Sequence, residues 1–173
     1  MKISISKIII FSFVAFFLLI FWLGLKKDNN YDTKNIIGNK LSNFQLPYIY
    51  SNGFISEEVL KENKFTLINF FASWCAPCRA EHQYLLNLSN NNRDVKILGI
   101  SFKDKKNNVT SFLNELGDPY NFVAEDPDGK ASILFGIYGI PESILINNEL
   151  IIIKKIVGPI DQKQYEEILQ LVQ

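Results

Sequence analysis

Sulfur ligands, imidazoles and surplus charge are all scarce in this chain. Its 173 residues hold two cysteines, one histidine, and 18 basic against 18 acidic side chains. A structural zinc site usually draws four ligands from Cys and His. Here only Cys75, Cys78 and His82 are available, all on one short segment, which argues against zinc. Haem attachment through Cys-x-x-Cys needs a histidine directly after the second cysteine, and Arg79 stands there instead. The four basic residues up to Lys27 precede the first acid, Asp28. The rest carries 14 Lys and Arg against 18 Asp and Glu, a net charge of about −4 that argues against a nucleic-acid partner. Internal repeats and long low-complexity tracts are also missing, and the wealth of Asn, Ile, Lys and Phe reads as coding bias.

The longest apolar run is IIIFSFVAFFLLIFWLGL, Ile8 to Leu25, in which Ser12 is the only side chain that hydrogen-bonds strongly. As a helix, its 18 residues would cover about 27 Å, close to the hydrocarbon thickness of a bilayer. A cleaved signal peptide would have an apolar core of about 7–15 residues and an Ala-x-Ala-like site, and neither is found. Residues 1–26 therefore read as an uncleaved signal anchor, with Trp22 near one interface and Lys26 and Lys27 just beyond it. Lys2 and Lys7 balance that pair, so charge alone does not orient the helix. A short tail before it and a long polar domain after it predict that everything following is exported. Residues 27–36 are polar and non-periodic, a tether.

Residues 37–173 read as one globular domain, with 47% apolar residues over the chain supplying a core that needs no disulfide to fold. FTLINFFA (Phe65–Ala72) has the continuous apolar character of a strand covered on both faces. A helix follows it, with Pro77 in the first turn, where a missing N–H costs nothing, and Leu85, Leu86 and Leu88 further along. VKILGISF (Val95–Phe102) predicts a second strand, and NNVTSFLNEL (Asn107–Leu116) a second helix with Val109, Phe112, Leu113 and Leu116 along one face. DPDG (Asp126–Gly129) signals a turn before a short helical piece near Ile133–Phe135. Tyr138–Ile146 and Leu150–Val157 predict a hairpin through Asn147 and Asn148, both tolerant of positive φ. In the last helix Asp161 and Gln164 have capping-box spacing, and Tyr165, Ile168, Leu169 and Val172 share a face. The expected architecture is α/β: a mixed central sheet with helices on both faces.

FFASWCAPCRAEH, Phe70 to His82, contains both cysteines and the histidine. A purely structural disulfide is one reading, although so short a loop restrains little chain entropy. Redox chemistry is the other. Cys75 lies at the start of a helix, where unpaired N–H groups and the positive dipole end favour a thiolate, and Arg79 adds a nearby positive charge. Such placement lowers a thiol from about 8.5 to between roughly 3.5 and 7.5. Cys78, one turn deeper, would stay a buried thiol, and Trp74 would cover the site from the solvent side.

WCAPCRAEHQYL, followed some sixty residues later by GIYGIPESILI, resembles the CcmG/DsbE family, membrane-anchored thioredoxin-like thiol:disulfide oxidoreductases of cytochrome c maturation. The likeness spans about Ile37 to Gln173 and implies a thioredoxin-like fold. It implies that Cys75 is the nucleophile, Cys78 the resolving cysteine, and Cys75–Cys78 the redox-active disulfide. Trp74, Pro77, Arg79, Glu81, Ile140, Pro141 and Glu142 are implied as active-site support. Pro141 falls at the family's cis-proline, which would leave the Ile140 backbone free to pair with an extended substrate segment. Glu81 and Glu142 match acidic positions of the family, with a role in tuning thiol acidity and relaying a proton set against a solvated surface role. The buried acid of ordinary thioredoxins, six residues before the first cysteine, is Asn69 here, so the proton acceptor for Cys78 becomes Glu81 or water. His82 reads as a surface helix residue.

By the same resemblance the chain is a disulfide reductase that keeps the haem-binding cysteines of apocytochrome c reduced, acting on the apocytochrome or on a haem-attachment partner carrying it. No cofactor or metal is expected. A single span cannot move electrons across a bilayer, so a transmembrane thiol reductant of DsbD or CcdA type is implied as donor. The expected location is the bacterial inner membrane, single-pass, with the domain in the periplasm. The alternatives are a TlpA- or ResA-like exported reductase of broader range and a non-catalytic docking module of the haem-attachment assembly.

Overall fold

The computed structural model describes residues 5–25 and 36–173. Contacts divide the chain into two compact units at residues 32–33. The first holds α1 (Ile5–Leu25), a helix of 21 residues and about 31 Å whose described side chains are all exposed. It is long and apolar enough to cross a membrane, with a mean hydropathy of 2.4 over Ile5–Gly24. The tether over residues 27–36 and the flanking Lys2, Lys26 and Lys27 lie outside the described residues, Ile36 excepted.

The second unit starts with elements absent from the sequence reading: a hairpin of β1 (Gln45–Pro47) and β2 (Phe54–Ser56), then α2 (Glu57–Leu60). The central sheet is built from β3 (Phe65–Phe71), β4 (Val95–Phe102), β5 (Phe122–Asp126), β6 (Glu142–Asn147) and β7 (Ile152–Val157), in the order β5-β4-β3-β6-β7. The strands β3, β4 and β5 run parallel, joined through α3 (Ala76–Asn91) and α4 (Lys106–Leu116), while β6 and β7 are antiparallel. The sheet is thus mixed. Central β3 is buried from Thr66 onward, as a strand covered on both faces must be.

Alternation along β3 sorts the core into layers. Leu67 packs with Leu85 and Leu88 of α3 and with Ile168 of α6 (Gln162–Leu171). Ile68 and Phe70 point the other way, toward Leu41, Phe44, Ile55, Leu60 and the short α5 (Lys130–Leu134). A third cluster, Phe71, Val109, Phe112 and Leu113, surrounds Cys75 and Cys78. Helices therefore lie on both faces.

Two boundaries differ from expectation for local reasons. β6 begins at Glu142 rather than Tyr138, because the chain enters it through Pro141, and proline has no N–H for the ladder. In the β6–β7 connection the left-handed residue is Leu150, φ 66°, and not Asn147 or Asn148. Asn147 acts through its side chain: Oδ1 accepts from the N–H of Glu149 at 3.0 Å and of Ile151 at 2.9 Å, closing the loop as an Asx-type turn. The Asp161–Gln164 capping box forms as expected, each residue's backbone N–H donating to the other's side chain at 3.0 Å.

Candidate active site

β3 delivers the chain to the sheet's C-terminal edge, and Cys75 caps α3 immediately beyond it, its Sγ accepting the Cys78 N–H at 3.2 Å. Cys75 and Cys78 are joined as a disulfide and are 5% and 2% exposed. Pro77 occupies the first helical turn. A sulfur at this position faces the unpaired amides and positive end of a 16-residue helix, which stabilises negative charge on it. The segment before it is held from the end of β4: Ser73 N–H donates to Asp104 at 2.6 Å and Trp74 Nε1–H to the Lys103 carbonyl at 3.4 Å. The indole itself stays 59% exposed.

Arg79 pairs with α4. Its guanidinium donates to both carboxylate oxygens of Glu115, at 2.8 and 3.3 Å, and lies 5.2 Å from the centre of the Phe112 ring. The hydrogen bonds and charge of Arg79 hold the Glu115 carboxyl below its ordinary range. Much of the positive charge expected to act on Cys75 is answered there.

Beneath the pair lies a buried polar row that sheet register creates. Asn69 of β3 is flanked by Gly99 of β4 and Ser143 of β6. Its Nδ2 donates to Glu81 Oε1 at 2.8 Å and to Ser143 Oγ at 3.0 Å, while Tyr120 O–H donates to Asn69 Oδ1 at 2.9 Å. Gly99 makes room for this phenol, since a Cβ there would sit 2.8 Å from the Tyr120 ring. Glu81, only 1% exposed, accepts at its other oxygen the Ile160 N–H at 2.8 Å. Burial pushes its pKa from 4.5 up to about 7, against the opposing pull of the Ile160 and Asn69 donors. A surface role for Glu81 is excluded.

His82 is also buried, contrary to expectation. The inward stripe of α3 runs Cys78, Glu81, His82, Leu85 and Leu88, the spacing of a helix face. Its Nε2 lies 2.8 Å from the Gly117 carbonyl and its ring meets Phe112 edge-on at 5.0 Å. Burial lowers its pKa, with the Gly117 carbonyl and Asp118 opposing and Arg79 reinforcing.

Glu142 opens β6 at 2% exposure, directly after cis Pro141. Oε1 accepts from the N–H groups of Tyr138 at 2.9 Å and Gly139 at 3.0 Å, and Oε2 lies 2.9 Å from Nζ of Lys155 on β7. This carboxylate holds a backbone turn. It too is no surface residue.

The redoxin family matches residues 37–169. The thiol:disulfide interchange protein DsbE of Escherichia coli K12 is 34% identical over 171 residues, 96% of this chain and 90% of that protein. The chain belongs to the DsbE family. CycY of Rhizobium leguminosarum, also a thiol:disulfide interchange protein, is 49% identical over 98 residues, 57% of this chain but only 52% of CycY. A thioredoxin-family thiol:disulfide interchange protein of Chlorobium tepidum superposes with a TM-score of 0.65 at 24% identity, covering 77% of this chain and 94% of that structure. The domain thus has the thioredoxin-like fold, and as a DsbE-family member the chain is a thiol:disulfide oxidoreductase with an N-terminal helix suited to membrane anchoring. Two of its site-forming residues escaped the sequence reading. Tyr120 sits in a loop with no pattern of its own, whereas Lys155 had a signal: Lys154 and Lys155 are adjacent in a strand and must face opposite sides, both covered.

Proposed function

We propose that this chain is a disulfide reductase of cytochrome c maturation, keeping the Cys-x-x-Cys-His cysteines of apocytochrome c as thiols. With the dithiol form as reactant, the Cys75 thiolate attacks one sulfur of the target disulfide. A Cys75–target disulfide forms, and the other target sulfur leaves as a thiolate. Cys78 passes its proton to Glu81, directly or through water, and attacks Cys75 Sγ, releasing the second target thiolate as Cys75–Cys78 closes. The target gains two electrons and the protein loses two; protons from Glu81 and solvent complete the target thiols. Extended target chain pairs with the Ile140 main chain beside Pro141 during the exchange, while Trp74 shields it from water. A transmembrane thiol reductant of DsbD or CcdA type returns the electrons, with α1 holding the domain at the periplasmic side of the inner membrane.

Glu81 carries this reading: a carboxyl one helical turn beyond Cys78, buried among neutral donors with a pKa of about 7, is matched to proton exchange at neutral pH. Trapping tests the substrate. A Cys78→Ser variant arrests the mixed disulfide at Cys75, and apocytochrome c, or a haem-attachment protein carrying it, is the expected captive. Capture of unrelated exported proteins instead would assign a general reductase. Cys75→Ser is expected to abolish c-type cytochrome production, and undiminished production would leave only a docking role. Labelling of reduced Cys75 in intact cells by a membrane-impermeant thiol reagent tests the topology, and protection from it would reverse the orientation.

A further inference from the structure

Lys155 is a lysine with almost no access to water, its side chain 2% exposed, and its partner Glu142 is equally buried. Desolvating such a pair is costly before their attraction is counted, and an apolar pair of similar size is often as stable. Fold stability alone therefore explains it poorly. What the two charges touch is more specific. Besides its ion pair, Lys155 Nζ donates to the Gly136 carbonyl and lies 5.0 Å from the Tyr138 ring centre. Glu142 takes the next amides, Tyr138 and Gly139.

Two further bonds finish the segment. Ile137 N–H donates to the Ser132 carbonyl at 2.8 Å, and Pro141 C=O accepts the Gly158 N–H at 3.0 Å. Every residue from Gly136 to Pro141 except Ile140 is thus tied by its main chain to β6, β7, α5 or Gly158 just after β7. Among the described residues Ile140 makes no backbone hydrogen bond, although its side chain packs into the core from both sides of the site. The buried pair thus fixes the residues leading up to one free peptide edge, and Gly158 holds the proline that follows it. Charge-assisted hydrogen bonds are the strong kind, suited to holding such an edge against the pull of an incoming chain.

We propose that Lys155 is a positioning residue for polypeptide capture: paired with Glu142, it sets segment 136–141 so that the Ile140 main chain is presented as a strand edge to the chain flanking the target disulfide. This role rests on the Ile140 pairing proposed above. It makes Lys155 matter for disulfides in extended peptides and much less for small disulfides, which have no backbone to pair.

The full-length protein in detergent would be assayed with an extended peptide carrying a Cys-x-x-Cys-His disulfide and with bis(2-hydroxyethyl) disulfide. Lys155→Met is expected to lower the ratio of the two kcat/KM values, peptide over small disulfide, about tenfold and through KM, with Lys155→Arg recovering most of it. A parallel fall on both substrates, or an unchanged ratio, overturns the proposal. If Lys155→Met does not fold, Lys155→Met/Glu142→Gln removes both charges, and the same ratio should fall about threefold. An unchanged ratio there, or failure of both variants to fold, also overturns it. N-methylation of the peptide amides flanking the disulfide separates the two layers of the argument. Indifference of the wild-type protein to methylation removes the Ile140 pairing and with it the proposal. Sensitivity to methylation together with an unchanged Lys155→Met ratio removes Lys155 alone.

Discussion

Glu81 and Glu142 are buried almost equally, yet their partners differ in kind. Glu81 faces an amide side chain and a backbone N–H, both neutral, whereas Glu142 faces two backbone N–H groups and the ammonium of Lys155. A buried carboxyl among neutral donors is pushed toward its protonated form, which is what places Glu81 near 7. One whose charge is answered by a cation serves as an anchor for the chain around it. Two acids that the family resemblance groups together thus have separate surroundings: one lies among neutral donors with a raised pKa, the other ties down a turn.

Removing the anchor should cost most. Glu142→Ala leaves Lys155 buried without its counter-charge, and a loss of about 3–5 kcal/mol in urea unfolding is expected. A loss below 1 kcal/mol would mean that the ammonium reaches water by some other route, and the contrast between the two acids would collapse.

The next effect is read against pH. The folded-state pKa of Glu81 is raised from 4.5 to about 7, so its contribution to stability is fully present below pH 4.5. Between there and about 7 the unfolded chain releases a proton that the folded protein keeps, and stability falls as pH rises. Wild type should therefore lose about 3 kcal/mol relative to Glu81→Gln across that window and run parallel to it above. The same variant should slow disulfide reduction about a hundredfold and remove the step near neutrality from the pH–rate profile.

Smaller changes probe the scaffold of Glu81. Gly99→Ala drives a methyl into the Tyr120 ring, at about 1–3 kcal/mol in thermal or chemical unfolding. Tyr120→Phe should cost about 1 kcal/mol for one buried hydrogen bond. It also frees the Asn69 amide to turn its donor away from Glu81, so the neutral-pH step should move upward. A step that stays in place would show that Asn69 keeps its orientation without the phenol.

Long apolar and periodic segments were legible: β3, α3, β4, α4 and α6 all occur where the residue pattern put them, and the cap of α6 forms as spaced. The short strands β1 and β2 were not, because three residues carry no period, and each is defined by its pairing with the other. β5 is brief and holds Glu125 and Asp126, so its apolar signal is diluted. Within the site the cysteines and Pro141 stood out by type and spacing. The burial of His82 was legible as well, since it lies four residues after Cys78 on a face that continues through Leu85. Tyr120 and Lys155 act through space, over 51 and 13 residues of chain respectively, and only the register that brings their partners together reveals them.

The row of donors around Glu81 also imposes an order of events on a chain that is still collapsing. Asn69 meets Ser143 across 74 residues, and Glu81 meets the amide of Ile160 across 79. Contacts of such separation are entropically late, because long loops must close before anything rewards them. The cysteines, three residues apart, are neighbours in even the most disordered chain. Newly made protein therefore carries its sulfurs together long before Glu81 meets the amide of Ile160.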